Sequence, residues 1–77
     1  MAASNIDYPV FIKKVREQLG LSQETLADEL GVSFASVNRW ENRQVVPSKL
    51  AKVQFEAFCL KMAKRGKLDR KWIQGIG

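Results

Sequence analysis

The chain has 77 residues, 45% of them hydrophobic and 27% charged, and a net charge of +5 at pH 7. This length supports one domain with a modest core. The lone cysteine, Cys59, rules out an intramolecular disulfide, the lack of histidine rules out a His-based zinc or catalytic cluster, and no apolar run is long enough to span a membrane.

The first five residues, Met1-Ala2-Ala3-Ser4-Asn5, lack the basic-then-apolar pattern of a secretory signal, so the chain reads as cytoplasmic. A first helix is predicted to begin around Asp7, with Pro9 in its first turn where a missing N–H does no harm. It runs to Leu19 with Gly20 as its stop, and Ile12, Val15 and Leu19 form its inward stripe. Ser22 is placed to cap a second helix over residues 24–30, with Leu26 and Leu30 on one face and Ala27 beside them, small enough for another helix to approach. Gly31 follows where a chain leaving a helix needs positive φ, Val32 can fold back as the apolar contact of that end, and Ser33 can cap a third helix. The linker of about three residues has the length of a helix-turn-helix turn.

In the third helix Val37 and Trp40 face inward, while Phe34, Ala35, Ser36, Asn38 and Arg39 occupy the first two turns and the outer face. Such an outer set suits the DNA major groove, where Asn pairs bidentately with adenine, Arg with guanine, and methyl or aromatic groups touch the thymine methyl. Pro47 and Ser48 open a last long helix that ends at Gly66. Its Leu50, Val53, Phe55, Ala57, Phe58, Leu60 and Met62 offer more apolar surface than one stripe requires. The surplus, including Phe55 or Cys59 with Met62, covers the first helix and the domain's base or meets a second copy. Residues 67–77 read as a short extra helix or a loose tail, and Gly75 and Gly77 argue against a firm end.

Charge is unevenly placed. Residues 1–38 hold three basic and five acidic side chains, whereas residues 39–77 hold ten basic and three acidic. Lys61, Lys64, Arg65, Lys67, Arg70 and Lys71 crowd eleven residues with Asp69 as the one opposing charge. This cluster attracts phosphate backbones by counterion release, or is a solvated helix end favoured by the helix dipole.

The stretches Val15-Arg16-Glu17-Gln18-Leu19-Gly20-Leu21-Ser22-Gln23, Leu26-Ala27, Leu30-Gly31-Val32-Ser33, Val37-Asn38-Arg39-Trp40-Glu41-Asn42 and Pro47-Ser48 give the chain its resemblance to a known family. Over roughly residues 8–60 it resembles the Cro and phage-repressor-like (Xre-type) helix-turn-helix domains. The resemblance implies an all-α, compact four- or five-helix bundle of the lambda-repressor-like type. It implies a DNA-binding domain over residues 1–66, with the motif at 22–42, followed by a basic segment at 67–77. By the same resemblance Gln23 clamps a DNA phosphate, Phe34, Ala35, Ser36 and Arg39 sit where base edges are read, Asn38 lies on the flank of that helix, and Asn42 lies near the phosphates. Arg16 and Glu41 would form a structural pair.

Two positions depart from the family. Arg43 stands where the family usually has glycine, so it either accepts an unusual backbone conformation or leaves the third helix by another route, and it could add a phosphate contact. Phe34 is aromatic where polar readers are common, and either touches a thymine methyl or packs on the end of the second helix.

The implied function is sequence-specific binding of double-stranded DNA by a transcriptional regulator, most simply a repressor. Specificity comes from the first turns of the third helix, and affinity from Gln23, Asn42, Arg43, Lys49 and the basic C-terminal region. The Ser33 hydroxyl caps its helix or contacts a phosphate. One such domain makes few phosphate contacts, so a homodimer on a palindromic operator is expected. The alternative is an antitoxin-like or other protein-interaction module that holds a partner through residues 50–62. No cofactor or metal is implied. An enzyme is disfavoured, since there is no phosphate-cradling glycine loop, no paired inward carboxylates and no base partner for Cys59.

Overall fold

The computed structural model describes residues 6–73, which contain four α-helices and one 3-10 turn. The helices are α1 (Tyr8–Gln18), α2 (Gln23–Leu30), α3 (Phe34–Glu41) and α4 (Lys49–Lys64), and the turn spans Arg70–Ile73. No strand occurs among the described residues, and no helix is long and apolar enough to cross a membrane. Residues 1–5, and with them the segment read for a signal, lie outside the described part, as do Gly75 and Gly77.

The capping serines set the starts of three helices. The Ser22, Ser33 and Ser48 hydroxyls accept the backbone N–H of Thr25 (3.0 Å), Ser36 (3.1 Å) and Ala51 (3.1 Å). α2 therefore starts at Gln23, one residue earlier than the sequence suggests. α1 opens differently: Asp7 stands at its N-cap with no side-chain cap bond, and Pro9 supplies a pre-set φ in the first turn.

All four helices end in one way. Within two residues of each end the chain turns left-handed: Gly20 (φ 70°), Gly31 (φ 73°), Arg43 (φ 61°) and Gly66 (φ 74°). Paired reversed hydrogen bonds then close the last turn. At α3 these run from the Gln44 N–H to the Arg39 carbonyl (2.9 Å) and from the Arg43 N–H to the Trp40 carbonyl (3.2 Å). Three of the four left-handed residues are glycine, for which the conformation costs little. Arg43 carries a Cβ there, a cost of about 1–2 kcal/mol. Of the two routes the sequence left open, the chain takes the strained one.

The core joins Ile12 and Val15 of α1, Leu26, Ala27 and Leu30 of α2, Val37 and Trp40 of α3, and Ala51, Phe55, Phe58, Cys59 and Met62 of α4. Phe11 meets Phe55 edge-to-face at 5.2 Å and closes α1 onto α4. Phe55, Cys59 and Met62 thus serve the core. The apolar surplus of α4 lies instead on its opposite side, where Leu50, Val53, Ala57 and Leu60 remain exposed.

Beyond α4 the described residues form the 3-10 turn at Arg70–Ile73. Leu68, which the sequence did not single out, is 3% exposed and fastens this segment to the core, with Trp72 and Ile73 packed alongside. Lys61, Lys64, Arg65, Lys67, Arg70 and Lys71 are all exposed.

Candidate nucleic-acid interface

α2 and α3 pack against each other, and α3 also packs on α1. Val37 (0% exposed) and Trp40 (6%) anchor α3 from within, which turns Phe34, Ala35 and Arg39 outward into solvent. Phe34 is 52% exposed, so it does not bury itself on the end of α2. Ser33 and Ser36 exchange a hydroxyl contact at 3.0 Å, and the Ser33 oxygen also caps α3. Ser36 and Asn38 are half-buried on the flanks.

A chain of polar contacts runs across the site. The Arg16 guanidinium donates through two nitrogens to the two oxygens of Glu41, at 2.8 and 3.0 Å, and through a third to the Leu21 carbonyl at 3.0 Å. Both side chains are largely buried, at 15% and 4% exposure. Glu41 hydrogen bonding pushes the Arg16 pKa further up, so this cation stays charged at any working pH. Gln23 donates from Nε2 to Glu41 Oε1 (3.0 Å) and accepts at Oε1 from Asn38 Nδ2 (3.0 Å). Asn42 Nδ2 then donates to Asn38 Oδ1 (3.2 Å). The carboxylate fixes the orientation of each amide in turn, because only a donor can face it. Gln23 keeps one amide hydrogen uncommitted, and Asn42 is exposed.

Arg43 follows α3 in the loop and Lys49 opens α4, both exposed. Arg43 is not free: its guanidinium donates to Asp7 Oδ2 at 2.8 Å, tying the end of α3 to the start of α1. That bond holds the Asp7 carboxyl below its usual pKa. Lys49 is the first residue of α4, beside the cap of Ser48.

The structure thus gathers Gln23, Asn38 and Asn42 into one hydrogen-bonded row, with Phe34, Ala35 and Arg39 beside it and Ser33 and Ser36 at the start of α3. Arg43 stands apart in the loop after α3, and Lys49 at the first position of α4. Sequence reasoning missed the Gln23–Glu41 and Gln23–Asn38 bonds and the Asp7–Arg43 bond, because their partners sit on different helices and share no periodicity.

Two short capped helices crossing at a glycine turn, the second anchored by one face and polar on the other, constitute a helix-turn-helix DNA-binding domain on an all-α, lambda-repressor-like fold. Residues 12–51, just over half the chain, match the family model described as helix-turn-helix, and the chain belongs to this family, of the Cro and phage-repressor type. Comparison with curated proteins and with solved structures found no match.

Proposed function

We propose that this domain is a sequence-specific transcriptional regulator, most simply a repressor that occludes its operator. The observation that supports it is the outer face of α3: Phe34, Ala35 and Arg39 are unencumbered, while the flanking Asn38 is held in place by Gln23. In this reading α3 enters the major groove, Arg39 reads guanine, and Phe34 and Ala35 contact thymine methyls, with Ser36 beside them. Gln23 gives its spare amide hydrogen to a phosphate, and Ser33, Asn42, Arg43 and Lys49 add backbone contacts. Arg43 would exchange Asp7 for a phosphate oxygen, a swap between two anionic partners. Two copies on a palindromic site, with half-sites about one helical turn apart, would supply the affinity that one domain lacks.

Selection of bound sites from random duplex DNA tests this. Enrichment of a symmetric motif supports it, and no enrichment would sink it. Arg39→Ala should weaken the selected site by about 1–3 kcal/mol and spare unrelated DNA, whereas Gln23→Ala should weaken all sequences alike.

A second reading, a protein-interaction module, draws on the exposed Leu50, Val53 and Leu60 of α4. It is compatible with DNA binding through α3, since the two use different residues.

A further inference from the structure

α4 is apolar on two opposite faces. Leu50, Val53, Ala57 and Leu60 follow one another at spacings of three, four and three residues, diametrically away from the core face of Phe55, Cys59 and Met62. This is the spacing against which a second helix packs its knobs. Leu50 is 67% exposed, Val53 54% and Leu60 43%. Towards its C-terminal end the stripe enters a groove of about 500 Å³ between α4 and the 3-10 turn, floored by Ala57, Leu60 and Ile73 and edged by Lys61, Lys64 and Arg70.

Charge selects what can lie there. Among the described residues no acidic side chain lines the groove. α4 carries Lys49, Lys52, Lys61 and Lys64 against a single carboxylate, Glu56, which accepts a hydrogen bond from the Tyr8 hydroxyl of α1. Lys52 is turned towards the Tyr8 ring of α1, but two copies packed stripe to stripe would bring Lys49, Lys61 and Lys64 together, and juxtaposed like charges oppose such pairing. A nucleic-acid backbone matches the lysines but gives Leu50, Val53 and Leu60 nothing to bury against. The groove also lies far from α3's loop, since Lys64 is about 22 Å along the helix from Lys49 at a rise of 1.5 Å per residue.

We infer that the outer face of α4 docks an acidic amphipathic helix of a partner protein. The partner's apolar side chains would pack on Leu50, Val53, Ala57 and Leu60, and its Asp and Glu side chains would face Lys61, Lys64 and Arg70. This deepens the protein-interaction reading, uses none of the residues that the proposed function places on DNA, and gives Lys61, Lys64 and Arg70 of the basic cluster a protein partner in place of a phosphate backbone.

The test titrates the isotope-labelled full chain with a synthetic amphipathic peptide bearing Leu at its a and d positions and Glu on the flanks, with a Lys-flanked peptide as control. Amide shifts confined to residues 50–64 and 70–73, and binding about tenfold tighter for the acidic peptide, are expected. Leu60→Ser and the double variant Lys64→Glu, Arg70→Glu, each verified as helical by circular dichroism, should weaken that binding about tenfold. Equal binding of both peptides or shifts centred on α3 would overturn the inference. So would displacement of the peptide by duplex DNA, or a sedimenting dimer that Leu60→Ser abolishes. Site selection repeated with Leu60→Ser separates the two functions, because an unchanged motif shows α3 working whatever happens on α4.

Discussion

α3 and α4 treat their outward sides in opposite ways. α3 fixes itself with Val37 and Trp40 and keeps its polar flank in place by bonding Asn38 to Gln23 and, through it, to Glu41. α4 buries five side chains on one side and shows water an apolar stripe on the other. An eight-residue helix has too few core positions to hold its pose by packing alone, so polar cross-ties complete the task. A sixteen-residue helix has core positions to spare, and its second face is free to be used.

Four measurements would break or sharpen that contrast. Phe55→Ala should cost about 3–5 kcal/mol in chemical denaturation, while Leu50→Ala on the opposite side should stay within about 0.5 kcal/mol. Equal losses would erase the distinction between the two faces of α4. Glu41→Ala should cost about 3 kcal/mol, because it strands a largely buried guanidinium and releases the Gln23 amide. A loss of only a few tenths would mean that Val37 and Trp40 suffice to hold α3.

The third measurement is alkaline. Burial, aided by Glu56, pushes the Cys59 thiol up to about 12 from an unfolded value of 9.0. The folded state therefore favours the protonated form, so its contribution is intact below pH 9 and fades as pH climbs towards 12. Stability should fall by on the order of 1 kcal/mol between pH 8 and pH 10. Burial and the bond to Glu56 push the Tyr8 phenol in the same direction, so both act through α4 and its contact with α1. Cys59→Ala should flatten the slope, and an unaltered slope would reassign the titration.

The smallest effect belongs to the end of α3. Arg43→Gly should raise stability by about 0.5–1 kcal/mol by relieving the left-handed backbone, with the lost Asp7 contact offsetting part of the gain. Thermal melting should record an increase of a few degrees. A decrease would mean that the tie to α1 outweighs the strain.

The helix limits and the inward side chains were legible because they rest on local rules. Ser22, Ser33 and Ser48 announce helix starts, Gly20, Gly31 and Gly66 announce ends, and the periodic Leu26, Leu30, Val37 and Trp40 name the buried sides. Within the site, the outward positions of Phe34, Ala35 and Arg39 followed from the same periodicity. The Gln23 tether did not, because a glutamine opening a helix looks alike whether it points to solvent or to a carboxylate on another element. The Arg16 and Glu41 pair was reachable only through family resemblance. Leu68 was hidden for another reason: amid Lys67, Asp69, Arg70 and Lys71 a single leucine has no pattern, and only the turn after Gly66 brings it back onto the core.

Cys59 gives the chain a built-in clock. It is 0% exposed and sits in the wall where α4 meets the rest of the core, and its raised pKa keeps it unreactive while that wall is closed. A thiol reagent in solution will therefore count only the moments when α4 lifts away, and the labelling rate will time that opening without a dye, a tag or an added tryptophan. Ligand on either face of the molecule could be followed with the same watch, by whether it slows the tick.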